Sequence, residues 1–267
     1  METKYLYIND EMKLAYYSEY VPDSKVGVII VHGLAEHKGR YEDFIEQLKN
    51  NKISVFAIDL RGHGESLGKR GDIKAFADYI DDLHSFVCDI KEKYPRLKLA
   101  VFGHSLGGLI ASSYVSTYNK IDLLILSSPF LDAPPKAKWF KFIPYKFCGF
   151  IKLKKRHSES KAMLDYSEND PLACRYFTLR LVGVMFKQGI EYITDRFKDI
   201  KVPVLMLGGK LDPLVNSGQF TVTLEKFGSE NKTLKVYEDK KHRMVQNENK
   251  DEIIKDIIMW IRETQKV

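Results

Sequence analysis

Cysteine is scarce in this chain of 267 residues. Cys88, Cys148 and Cys174 are too few and too scattered for a disulfide framework or a metal cage, and a reducing, cytoplasmic setting fits them best. Long apolar runs are missing too. No stretch approaches the roughly 18 consecutive apolar residues of a spanning helix, so any membrane contact would be peripheral. The first residues, Met1 to Glu11, lack the apolar core of a secretory signal, and export is not expected. Glycine and proline are not enriched, and there is no internal repeat or low-complexity linker, so the whole chain should fold. The formal net charge of +6 comes without a nucleic-acid-binding motif. A nucleic-acid partner is therefore not expected.

What is present is an alternation of short β-branched runs with longer helical patterns. Tyr5 to Ile8 and Lys13 to Tyr20 read as a hairpin around Asn9-Asp10-Glu11. Val26 to Val31 is a continuous apolar run, the signature of a strand buried on both faces of a parallel sheet. Further strands fall at Ser54 to Ile58, Leu97 to Phe102, Leu123 to Leu126, Val202 to Leu207 and Leu234 to Tyr237. Apolar residues at three- and four-residue spacing predict a helix over Asp72 to Lys93, and similar patterns cover Tyr41 to Lys49, Leu106 to Tyr118 and Glu252 to Arg262. Such alternation implies an α/β fold, a mostly parallel sheet with helices on both faces and ligands at the strand carboxyl ends. Between Pro129 and Phe197 the alternation stops for some 65 residues, far beyond an ordinary loop. Residues 130–197 are read as an inserted helical cap, with 1–129 and 198–267 forming the core.

Gly103-His104-Ser105-Leu106-Gly107 follows a strand and opens a helix. A nucleophilic serine needs a sharp, strained turn, and glycines two positions to either side let neighbouring backbone approach. Ser105 then stands at a helix amino terminus, where the Leu106 N–H can stabilise an oxyanion. A serine hydroxyl also needs a base, held in turn by a carboxylate. In chain order the acid should come next and the histidine last. Asp212 lies in the loop after Val202 to Leu207, and His242 follows Leu234 to Tyr237 as the last histidine of the chain. Asp212 has a competing reading as a cap for a helix after Pro213, and Asp132 competes for the acid role.

The second oxyanion donor is expected at the Leu34 N–H, within His32-Gly33-Leu34-Ala35-Glu36-His37. His32 and His37 lack a ligand cluster at metal spacing, so no metal is expected. Asp59 to Ser66 is a glycine-rich loop with a mainly structural reading. Arg61 within it either pairs with Glu36 or Asp59 or is an exposed charge.

Taken together, His32 to His37, Asp59 to Ser66, Gly103 to Gly108, Gly209 to Val215 and His242 resemble the monoacylglycerol lipase and lysophospholipase branch of the α/β-hydrolases. The resemblance implies an eight-stranded core with a helical cap and no cofactor. It also implies a small-molecule ester or lipid substrate: a monoacylglycerol, a lysophospholipid or a simpler ester. It carries over Ser105, Asp212 and His242 as the triad, with Leu34 and Leu106 as oxyanion donors. The family often has a small residue or Met at those two positions. Leucine there leaves backbone donation intact and alters the shape of the acyl pocket.

The cap adds a physical consideration of its own. Leu131 to His157 carries eight Lys or Arg against one Asp, interleaved with Trp139, Phe140, Phe142, Phe147, Phe150 and Ile151. Such a surface would suit an anionic bilayer. Equally, its apolar face would cover the core while the lysines stay solvated. Rival functions are a short-chain carboxylesterase, a proline iminopeptidase-like peptidase and a catalytically silent binding protein. The peptidase would want an acidic pocket beside a cap that is basic. The silent protein would ordinarily have lost a triad member.

Overall fold

A computed structural model describes residues 1–132, 150–152, 169–247 and 249–266, with backbone only at 150–152. Eight strands form one sheet: β1 (Lys4–Asn9), β2 (Met12–Glu19), β3 (Val26–Val31), β4 (Ser54–Ile58), β5 (Lys98–His104), β6 (Leu123–Ser127), β9 (Val204–Gly209) and β10 (Lys232–Tyr237). Their order is β1-β2-β4-β3-β5-β6-β9-β10. β2 pairs antiparallel with both β1 and β4, and every pairing from β4 to β10 is parallel. This is the mostly parallel, eight-stranded arrangement expected of the α/β-hydrolase fold.

The central strands are apolar throughout because both faces are covered. Val28 and Ile30 of β3 join the cluster built with helix α1 (Glu42–Asn50), while Ile29 and Val31 point to the opposite cluster. Helices α2 (Ala77–Lys93) and α3 (Leu106–Thr117) cover that second face. On the first face, α1 is joined by the carboxy-terminal helix, whose Ile253, Ile257 and Ile261 are fully buried.

The α2 helix begins five residues later than its apolar spacing suggests. Asp72 is drawn instead into tertiary bonds, accepting from Thr178 Oγ1 at 2.6 Å and Arg180 Nε at 3.0 Å. The Phe76 N–H donates to Gln188 Oε1, and Ile73 and Phe76 are buried although both precede the first helical residue, Ala77.

Within residues 130–197, the described residues are not wholly helical. β7 (Phe150–Lys152) pairs antiparallel with β8 (Tyr176–Thr178), a segment of β-forming side chains whose Thr178 N–H is taken by the Gly71 carbonyl. Helix α4 (Leu179–Gly183) continues through a π-helical turn, Val184–Gly189, into α5 (Ile190–Thr194). Asp170 anchors the stretch to the core: its Oδ2 accepts from His37 Nε2 at 2.7 Å and from Arg40 Nε at 3.0 Å. The basic, aromatic segment Leu131 to His157 lies outside the described residues apart from its first two and the backbone of 150–152. A short helix, α6 (Phe220–Glu225), and the carboxy-terminal helix, α7 (Asp251–Gln265), complete the chain. Among the described residues, no helix is long and apolar enough to cross a membrane.

Candidate active site

Ser105 sits between β5 and α3 at φ +52° and ψ −114°, a conformation that costs a non-glycine residue about 1–3 kcal/mol. The turn is held there from several sides. Ser105 donates its N–H to the Ser127 carbonyl at 3.1 Å, and its own carbonyl accepts from Gly108, Leu109 and Phe130. A Cβ at Gly103 would collide with the Gly107 carbonyl, and one at Gly107 with that of Val31. The two glycines flanking the serine are thus a steric requirement of the turn.

Asp212 follows β9 and uses its two oxygens separately. Oδ1 accepts the N–H groups of Leu214 at 2.8 Å and Val215 at 3.0 Å, closing the loop, while Oδ2 meets His242 Nδ1 at 2.7 Å. The capping reading of Asp212 fails: no helix begins at Pro213, and the next helical turn, Ser217–Gln219, is capped by Asn216, whose Oδ1 accepts the Gly218 N–H at 3.1 Å. Burial alone would raise this carboxyl, but the His242 bond and the two amides outweigh it and hold Asp212 below the ordinary range. With Nδ1–H donated to the carboxylate, His242 Nε2 carries the free lone pair. Asp132, the other candidate acid, is exposed.

Ser105, Leu34 and His242 line one cavity of about 270 Å³. Its remaining wall is mainly apolar, with Leu214 from the core and Phe130, Phe177, Val182, Met185 and Phe186 from residues 130–197. Leu106 is the first residue of α3, where an amide has no partner within its own helix. Leu34 follows Gly33, where a Cβ would lie 3.3 Å from that of Ser105.

The neighbouring histidines have other duties. His32 Nε2 accepts the Leu60 N–H at 3.0 Å, so its Nδ1–H donates to the Gly33 carbonyl. His104 is buried with Nδ1 against the Ser127 carbonyl at 3.0 Å. Burial pushes both down to about 4. His37 is committed to Asp170. Among the described residues, no group of three or more His, Cys, Asp or Glu could hold a metal ion.

Arg61 does not pair with Glu36 or Asp59. Its guanidinium reaches Asp82 on α2, at 2.6 Å from Nε and 2.5 Å from Nη2. Asp59 is taken by the buried Lys38, at 3.0 Å from Nζ, and Glu36 by Arg243, so neither is available. The Glu36 link to Arg243 and Gln246 has no motif signal, because those partners lie 207 and 210 positions away.

Residues 22–250 match the profile of a family described as serine aminopeptidase, S33. The chain belongs to this family of serine hydrolases. Within and around it, the chain is 28% identical over 249 residues to the monoglyceride lipase of Homo sapiens, covering 89% of this chain and 82% of that one. It is 26% identical over 241 residues to the phospholipase YtpA of Bacillus subtilis, covering 85% and 92%. The crystal structure of the monoacylglycerol lipase of Paleococcus ferrophilus superposes with a TM-score of 0.82 at 25% identity, over 99% of this chain and all of the other. The S33 member described here thus shares its whole fold with an α/β-hydrolase that carries a lipase name.

Proposed function

We propose that this chain hydrolyses carboxylic esters, specifically monoacylglycerols or lysophospholipids, through an acyl-enzyme on Ser105. His242 Nε2 takes the hydroxyl proton as Ser105 Oγ bonds to the ester carbonyl carbon. The carbonyl oxygen, now anionic, is held by the N–H groups of Leu34 and Leu106. Collapse breaks the ester C–O bond, and the alcohol leaves with the proton from His242. A water molecule then adds to the acyl-enzyme by the same steps and frees the fatty acid. Asp212 keeps the imidazole in the required tautomer throughout. No cofactor enters this scheme.

One observation carries the reading: a strained serine and a carboxylate-bound histidine open onto a single apolar cavity. An apolar wall suits an acyl chain. In this reading residues 130–197 form a cap over the site and supply the far wall through Val182, Met185 and Phe186. The aminopeptidase in the family description would need a free carboxylate for a substrate ammonium. Glu36 is the acid among the described lining residues, and both of its oxygens are occupied by the protein's own donors.

Ser105→Ala tests the mechanism. The variant is expected to fold, to lose fluorophosphonate labelling and to lose hydrolysis of p-nitrophenyl esters and monoacylglycerols. Retained hydrolysis by a folded Ser105→Ala protein refutes it. A rate profile over monoacylglycerols, lysophospholipids and short p-nitrophenyl esters tests the substrate class, and a preference for the short esters alone refutes the lipid reading.

A further inference from the structure

Glu36 is almost wholly buried, yet it is not one of the residues that the ester chemistry requires. Its Oε2 accepts the Gly33 N–H at 3.1 Å, the Tyr41 hydroxyl at 2.8 Å and the Gln246 amide at 3.2 Å. Its Oε1 accepts the Nε–H of Arg243 at 2.8 Å. Burial works against the charge, but His104 when protonated, the guanidiniums of Arg243 and Arg40 and the Tyr41 bond keep it ionised.

The connectivity of these partners matters more than their number. Arg243 directly follows His242, and Gly33 directly precedes Leu34. A single carboxylate therefore ties the loop carrying the general base to the loop carrying an oxyanion donor. The loops come from opposite ends of the sequence, after β10 and after β3. The ring of His104 lies between them, 4.7 Å from that of His242 and with Nε2 3.8 Å from Glu36 Oε1.

We propose that Arg243 is a positioning residue, which sets the His242 loop against the oxyanion loop through Glu36. The inference rests on the catalytic reading above. A misplacement of about 1 Å costs on the order of 10²-fold in rate, and the chemistry needs base and oxyanion donors in register at once. Arg243 also lines the cavity. A role in holding substrate would appear in KM, whereas a positioning role appears in kcat.

The test is steady-state hydrolysis of a p-nitrophenyl ester by Arg243→Met, Arg243→Lys and wild type, with melting temperatures measured alongside. Arg243→Met is expected to lose about 10²-fold in kcat, with KM within about threefold and little change in melting temperature. Arg243→Lys, which keeps a cation and a donor, is expected to recover most of kcat. Adding Glu36→Gln to Arg243→Met should cost far less than Glu36→Gln costs alone, because the link is already cut. The inference is overturned if Arg243→Met retains kcat, if its defect lies wholly in KM, or if the two substitutions are additive. Ser105→Ala, run in parallel, separates the two failures. Lost hydrolysis there with an intact kcat in Arg243→Met removes the positioning role alone, and retained hydrolysis there removes the serine mechanism as well.

Discussion

Mild acid should unfold this protein before its carboxylates titrate. His32, His63 and His104 are buried, and burial is the largest cause of depression in each, taking His32 and His104 to about 4 and His63 to about 3. In the unfolded chain the same imidazoles bind a proton near 6.5. Between those values the unfolded state holds more protons, so stability falls as pH falls. Moving from pH 7 to pH 5 costs about 2 kcal/mol for each histidine, and roughly 6 kcal/mol for the three together. That rivals the whole stability of an ordinary domain, about 5–15 kcal/mol. Guanidinium denaturation followed by circular dichroism at pH 7, 6 and 5 reads the loss directly. A loss below about 1 kcal/mol across that range would show that the three rings are not held neutral by the fold. Below pH 4 a second decline is expected, as Glu36, Asp72, Asp170 and Asp212, all depressed in the folded state, take up protons.

Asp212→Asn should lower kcat by about 10⁴-fold with the fold intact, because an amide no longer fixes the His242 tautomer; pre-steady-state ester hydrolysis checks it. Gly107→Ala should sharply reduce the yield of folded protein, since its methyl group meets the Val31 carbonyl; thermal melting of any soluble fraction measures the loss. Asp170→Ala withdraws the shared acceptor of His37 and Arg40 in a buried setting and is expected to cost about 3–5 kcal/mol, read as a drop in denaturation midpoint.

The strands and the turn around Ser105 were legible because their determinants are local. A run such as Val26 to Val31 is apolar on both faces whatever its partners are, and the glycines at 103 and 107 are required by backbone within a few residues or on the adjacent strand. The order Ser105, Asp212, His242 was legible because each follows a strand whose end is visible in the composition. Arg61 was not. Its choice of Asp82 over Glu36 depends on which acids Lys38 and Arg243 have already taken, a competition settled only in three dimensions. The start of α2 was misplaced for a related reason: Asp72 has a helical neighbourhood but better partners in Thr178 and Arg180. The Glu36–Arg243 bond spans 207 positions and leaves no trace in spacing.

β6 and β9 are hydrogen-bonded neighbours, yet the whole insertion separates them in the chain. The polypeptide therefore leaves the sheet at the carboxyl end of β6 and re-enters it one strand over at the amino end of β9, on the opposite rim, because the two strands run parallel. Such a crossover has to cross the depth of the sheet, and its ends are bonded to the core strands, through the Ser128 N–H to the Leu207 carbonyl and the Pro203 carbonyl to the Leu124 N–H. Ligand preference and scaffold stability are thus coupled: the segment that lines the cavity through Val182 and Met185 also buries Leu181, Val184 and Ile193 in the core. Exchanging that segment among relatives would therefore move folding stability together with the cavity wall.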